Sequence, residues 1–434
     1  MGEVSDLCPE KTGDWNMSDY SFIKEVIKEK PLNKKKLFTM FGVLTIAAVL
    51  FGGIAAFTFA YVLPYAQERI EAGRKPGKVE IITDDEELSE AATPTPTAQE
   101  QEVTPEVVEV PAEVGLADYK HIYEEMKTVS QEAQASIVTV IGIKNEVDYF
   151  NTSYDNKGQL SGVIIANNKK ELLILTEYRV VEGVDRIQVT FANDKTVDAQ
   201  FQKRDRNTGL TILKIPLETV DQDTMNAILE APLGNSYGLN QGEPVIALGS
   251  PMGYSDSIAF GAVTSVTNTI STLDTEYSLI TTDILGSEDG SGILVNLDGE
   301  IVGMIVQDFS IQNNTVTALS ISKIKKLIQT LSNNGELPYV GIKGQDVTEA
   351  IMKSLGTPQG VYIENMEPES PAVQAGMMSG DVIVKVGEAE VTTIAEYYSQ
   401  LESCKIGESV QITVMREGVE GYGEIVFDVI VQAL

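Results

Sequence analysis

One uncharged stretch, LFTMFGVLTIAAVLFGGIAAFTFAYVL from Leu37 to Leu63, constrains this chain more than any other feature. It exceeds the roughly 20 apolar residues that carry a helix across a bilayer, so a single transmembrane helix is predicted over residues 37–63. A cleaved signal peptide would have a shorter apolar core near the N-terminus and small residues at its exit. Here 36 residues precede the run, and Tyr61, Pro64 and Tyr65 stand at its end. Lys24, Lys28, Lys30, Lys34, Lys35 and Lys36 outweigh Arg69, Arg74, Lys75 and Lys78 on the far side. That bias puts residues 1–36 in the cytoplasm and the rest of a single-pass cell-membrane protein outside it. Gly52 and Ala56 form a small-xxx-small pair, which the Gly/Ala-rich composition of the span explains without invoking helix pairing.

Residues 64–118 read as a linker. From Pro76 to Gly115 the chain is rich in Pro, Thr and Glu and has no basic residue after Lys78. Such a segment buries too little apolar surface to offset its ordering entropy, so an extended, solvated spacer is expected.

The whole chain carries 64 Asp+Glu against 32 Lys+Arg, a formal charge of -32, which argues against nucleic-acid binding because no basic face is available for phosphates. Cys8 and Cys404 are expected on opposite sides of the membrane, so neither a disulfide framework nor a Cys-based zinc site is available. No metal and no cofactor are expected. His121 is the sole histidine, so any mechanism pairing a histidine base with a Ser or Cys nucleophile must use it.

From Ser136 onward, short β-rich runs alternate with turn residues: ASIVTVIGI, SGVIIAN, LLILT, RIQVTF, LTILKI, PVIALGS, ILVN and EIVGMIV. This spacing predicts an all-β sandwich or barrel. SKIKKLIQTLSNNG then predicts a helix with Ile324, Leu327, Ile328 and Leu331 on one face and Gly335 as its cap.

SGVIIA, LLILTEYRVVEGVDRIQVTF, RDRNTGLTILKI, GEPVIALGSPMGYSDSIAFGAVTS and GSGILVNLDGEIVGMIV occur in the order and spacing of a known domain. Residues 119–335 resemble the trypsin-like double β-barrel of the HtrA/DegP serine protease family. Residues 336–434, with PYVGIKGQDV, GVYIENMEPESPAVQAGMMSGDVIVKVGEAEV, TTIAEYYSQLES and SVQITVMREG, resemble the PDZ domain that such proteins carry. The layout of span, spacer, protease-like domain and PDZ domain is that of DegS-like members, and the resemblance implies a homotrimer. A PDZ domain captures an extended peptide or protein C-terminus by adding it to a sheet edge, with backbone N–H groups holding the carboxylate. By resemblance those groups belong to Tyr339, Val340, Gly341 and Ile342, and the far groove wall is the helix Ile394–Leu401.

The catalytic strings of the family are all present, and each lacks its reacting group. ILTEYRVVEG puts Arg179 at the histidine, DRNTGLTILK puts Gly209 at the aspartate, and EDGSGILVN puts Gly290 at the serine. An arginine guanidinium does not accept a proton at neutral pH. Gly209 has no carboxylate to orient a base, and Gly290 has no hydroxyl. Glu288 and Asp289 add negative charge where an oxyanion would form. The expectation is an inactive pseudoprotease that binds C-termini in extracytoplasmic protein quality control or regulation. The alternative is an active endopeptidase using Ser291, which would need His121 or a lysine such as Lys214 as its base.

Overall fold

The computed structural model describes residues 76–84, 115–147, 153–310 and 314–434. The predicted span and tail lie outside the described residues, among which no helix is long and apolar enough to cross a membrane.

Two closed antiparallel barrels form the first part. Strands β1 (Ile137–Val147), β2 (Ser153–Asn167), β3 (Glu171–Glu177), β4 (Arg186–Thr190), β5 (Thr196–Arg204) and β6 (Leu210–Pro216) close in the order β1-β2-β3-β6-β5-β4. Strands β7 (Pro244–Ser250), β8 (Ser257–Ser271), β9 (Glu276–Leu285), β10 (Ser291–Val295), β11 (Ile301–Val306) and β12 (Thr315–Ser320) close in the order β10-β11-β12-β9-β8-β7.

The continuous apolar run of β3 has a simple cause. Side chains alternate across a strand, so Leu172 and Ile174 fill the first barrel with Val140 and Leu213. Leu173 and Leu175 point the other way and meet Ile246, Leu248 and Ile293 in the seam between the barrels. With both faces covered, every residue of the run gains from burial, about 1.5–3 kcal/mol for each large aliphatic side chain.

Helix α1 (Leu116–Gln134) precedes the first barrel and begins inside the expected linker. A short helix, α2 (Gln222–Ala227), joins the barrels and is capped by Asp221, whose carboxylate accepts the Thr224 N–H at 2.7 Å. Helix α3 (Ile321–Ser332) buries Ile324, Leu327, Ile328 and Leu331 as their spacing predicts. Its end differs in one detail. Asn334 takes the left-handed conformation at φ 54°, while the Gly335 N–H returns to the Thr330 carbonyl at 2.8 Å.

The spacer expectation is corrected for residues 76–84, which are fastened along α3 instead of solvated. The Val79 N–H donates to Asn333 Oδ1 at 2.9 Å, and the Ile81 N–H to Gln329 Oε1 at 2.7 Å. Lys325 and Asp84 form an ion pair in which both side chains are buried. Polar side chains of α3 satisfy this backbone, so the segment orders despite its weak apolar content.

After α3 comes a second sheet with its own core. Strand β13 (Pro338–Tyr339) pairs with β20 (Gln432–Ala433). Strands β14 (Ile342–Asp346), β15 (Val361–Met366), β16 (Val382–Val386), β18 (Ser409–Gly418) and β19 (Gly421–Ile430) neighbour one another in that order, and β17 (Ala389–Glu390) pairs with β16. Helices α4 (Glu349–Leu355), α5 (Pro371–Ala375) and α6 (Ile394–Glu402) flank it. Val340, Ile342, Ile363, Ile383, Tyr397, Leu401, Ile412 and Val414 form the core.

Candidate functional site

Two candidate sites follow from the residues named above. The first lies where β3, the turn before β6 and the loop before β10 converge. Arg179 sits in the single 3-10 turn Tyr178–Val180 that ends β3. The Tyr178 N–H donates to the Gly209 carbonyl at 2.7 Å, and Arg179 Nη2 donates to the Gly290 carbonyl at 3.2 Å. Arg179, Gly209 and Gly290 therefore meet in space, as the three strings imply.

What surrounds them is a closed polar knot. Arg179 Nε donates to Glu177 Oε2 at 2.9 Å, and its Nη2 reaches Glu177 Oε1 at 3.3 Å. Glu177 is 3% exposed. Burial pushes its carboxyl up to about 7, Arg179 pulls against that rise and Asp308 adds to it. Burial works against the Arg179 charge, yet the Glu177 bond and charge outweigh it and hold the guanidinium above its ordinary value. This group is a fixed cation and cannot serve as a base.

The Gly290 loop has closed on itself. Its N–H donates to the Ser287 carbonyl at 2.8 Å, so it is spent and cannot meet an oxyanion. A Cβ at Gly290 would lie 2.5 Å from the Pro251 carbonyl oxygen and 2.8 Å from that of Ser287. At Gly209, φ is +71°, and the turn before it hangs on Asp205, whose buried carboxylate accepts from the Thr208 N–H at 2.9 Å and the Thr208 hydroxyl at 2.7 Å.

Ser291 is fully buried. Its Oγ accepts the Ser161 N–H at 2.9 Å and shares a hydrogen bond with Ser250 Oγ at 2.8 Å, which in turn meets Ser161 Oγ at 2.9 Å. Three serines thus satisfy one another, and no base is among the partners of Ser291. His121 lies exposed on α1 with its Nδ1 3.8 Å from Glu125. Lys214 Nζ is 3.4 Å from Glu171.

The second site is the loop Tyr339–Ile342. Gly341 has φ +89°, and a Cβ there would come within 2.4 Å of Ser370 Cβ, so only glycine fits. The loop directs three successive N–H groups at one point, an arrangement suited to a carboxylate. That point holds the side chain of Asp274, from the turn between β8 and β9. Asp274 Oδ2 accepts from the Val340 N–H at 2.9 Å and the Gly341 N–H at 2.8 Å, and Oδ1 from the Ile342 N–H at 3.2 Å. The Tyr397 hydroxyl on α6 donates to Oδ1 at 2.8 Å. Burial raises the Asp274 carboxyl above its ordinary value, with these donors opposing the rise.

The hairpin also follows the groove edge. The Asp274 N–H donates to the Ile342 carbonyl at 2.6 Å, and Ser271 Oγ donates to the Gly344 carbonyl at 2.8 Å. Tyr339 donates its hydroxyl to Glu367, whose other oxygen takes a bond from Arg206 Nη2 at 2.9 Å. Asn207 Nδ2, from the same turn as Gly209, donates to the Leu273 carbonyl at 2.8 Å.

Sequence reasoning named neither Glu177 nor Asp274. Glu177 stands two residues before Arg179 within the histidine string, where an acid beside a basic replacement was a usable signal. Nothing in TLDTEY marks Asp274, because its partners are 66 to 123 residues away.

The family description "Trypsin-like peptidase domain" matches residues 160–304, and "PDZ domain" matches residues 338–423. A serine protease Do-like HtrA of Lactobacillus helveticus is 28% identical over 332 residues, covering 68% of this chain and 79% of that protein. A serine protease Do-like HtrB of Bacillus subtilis is 28% identical over 315 residues, covering 64% of this chain and 66% of that protein. Among solved structures, the HtrA-type protease AlgW with decapeptide superposes with a TM-score of 0.55 at 20% identity, covering 71% of this chain and 98% of that one, a likeness of fold.

Proposed function

The chain belongs to the HtrA-like family of trypsin-like serine proteases with a PDZ domain, and from that premise we propose that it is a catalytically inactive member. In this reading it is anchored by residues 37–63, holds its barrels and PDZ domain outside the cytoplasm, and binds peptide or protein C-termini. The barrels act as a scaffold within a family-like trimer, in protein quality control or its regulation.

The observation that carries the inactive reading is the bond network at the three triad positions. Arg179 is locked between Glu177 and the Gly290 carbonyl, in a site with no hydroxyl at the serine position and no imidazole at the histidine position. A triad deprived of its members retains little catalysis, and what remains depends on an oxyanion hole. Here one of the N–H groups needed for that hole is already bonded within the loop. Ser291 supports no second reading, because its hydroxyl is sealed and doubly bonded.

The test is to present the full chain, in detergent, with decapeptides bearing free carboxyl termini and with their C-terminally amidated twins. Selective retention of the free acids, recovered uncut, is expected. Equal retention of both forms would end the C-terminus reading, and cleaved products would end the inactive one.

A further inference from the structure

The PDZ nest is built for a carboxylate and already holds one. Three N–H groups and one phenol hydroxyl surround a single Asp side chain that is 2% exposed. Four donors to one ionised acceptor make a strong set, since charge-assisted bonds are roughly twice as strong as neutral ones.

The resemblance to a bound C-terminus extends beyond the carboxylate. A terminal residue in such a groove has a carboxylate in the nest and an N–H free to bond the adjoining strand. Asp274 has both, its N–H meeting the Ile342 carbonyl at 2.6 Å. Three residues earlier, Ser271 Oγ meets the Gly344 carbonyl at 2.8 Å, so the segment runs antiparallel to β14. The one chemical difference is that the Asp274 backbone must continue to Thr275. A left-handed φ of 62° and the Thr272 N–H bond to the Thr275 carbonyl at 2.9 Å turn the chain back into β9. That turn frees the side chain to take the place of the terminal group.

We propose that the β8–β9 hairpin is an internal ligand of the PDZ domain, with Asp274 standing in for a C-terminal carboxylate, so that an external C-terminus binds only by displacing it. This inference rests on the reading of the groove as a C-terminus site. An intramolecular competitor acts at the high effective concentration of a tethered ligand, so the apparent dissociation constant for a free peptide is the intrinsic one divided by the fraction of molecules with the hairpin released. Displacement also has a structural consequence. The hairpin turn is held by Asn207, whose side chain bonds the Leu273 carbonyl in the turn that ends at Gly209. Peptide capture thereby removes the hairpin's hold on the PDZ domain and leaves contacts such as Arg206 to Glu367 in place.

The probe is a pool of fluorescein-labelled decapeptides ending in Val, Leu, Ile or Phe with free carboxyl termini, with an amidated pool as control, on the full chain in detergent. Asp274→Ala should bind the free-acid pool about tenfold or more tightly than the wild-type chain, with no gain for the amidated pool. Asn207→Ala touches neither nest nor groove and should give a smaller gain in the same direction. Equal affinities for the free-acid pool in wild type and Asp274→Ala, each exceeding the amidated control, would overturn the internal ligand while leaving the groove reading intact. If no form prefers free acids, the groove reading fails, and hydrogen exchange at Val340, Gly341 and Ile342 decides the latch alone. Slow exchange in the wild type, accelerated in both variants, supports it; exchange as fast in the wild type as in Asp274→Ala overturns it.

Discussion

Arg179 Nε donates to Glu177 Oε2 at 2.9 Å, joining the residue at the histidine position to a buried carboxylate two residues earlier. In an active member this place needs a base that gains and loses a proton during turnover. Here the pair has become structural, and that change has measurable consequences.

Stability should depend on the protonation of Glu177. Burial raises its carboxyl from 4.5 to about 7, so between those values the native state binds a proton that the unfolded chain has released. The unfolding free energy therefore falls as pH rises through this window, by roughly 3 kcal/mol at most. Urea midpoints at pH 5 and pH 8 should differ in that direction for the wild type, and Glu177→Gln should remove most of the difference. An unchanged slope in the variant would assign it to other groups.

Restoring the triad side chains should not restore a protease. In Arg179→His, Gly209→Asp, Gly290→Ser, the new serine Cβ meets carbonyl oxygens of Pro251 and Ser287 at 2.5 and 2.8 Å. The loop must shift to admit it, a steric cost of about 1–3 kcal/mol. Circular dichroism melts should show the loss, and a fluorogenic peptide should remain uncut. Turnover in the triple variant would mean that the loop opens readily.

The strap over α3 should depend on its ion pair. Lys325→Ala leaves Asp84 buried without its cation, a loss of about 3–5 kcal/mol if the charge stays buried. The cheaper response is release of residues 76–84, seen as new proteolytic cleavage there. Asp84→Leu with Lys325→Met, which removes both charges, should restore protection. Cleavage in the double variant equal to that in Lys325→Ala would show that the pair itself is not what holds the strap.

The sequence carried much of this architecture because its strongest elements are doubly buried. β3, β7 and β11 read as largely apolar runs because both faces are covered. β5 and β8 carry exposed or half-exposed Thr, Gln, Asn and Lys between their apolar residues and did not emerge as apolar strands, and in β9 Ser278, Thr281, Thr282 and Asp283 interrupt the apolar residues. At the triad positions, the spacing within each string pointed to Arg179, Gly209 and Gly290, and the hydrogen bonds Tyr178 N–H to Gly209 and Arg179 to Gly290 bring the three strings together. The occupied state of the PDZ nest was hidden, because Asp274 reaches Val340 through tertiary packing across 66 residues and no local pattern encodes that approach.

The most direct test of the inactive reading is labelling of the purified full chain with a fluorophosphonate probe, alongside Ser291→Ala and an active trypsin-like protease. The expected result is labelling of the protease alone. Labelling of the wild-type chain that disappears in Ser291→Ala would contradict the inactive reading and restore this protein to the enzymes.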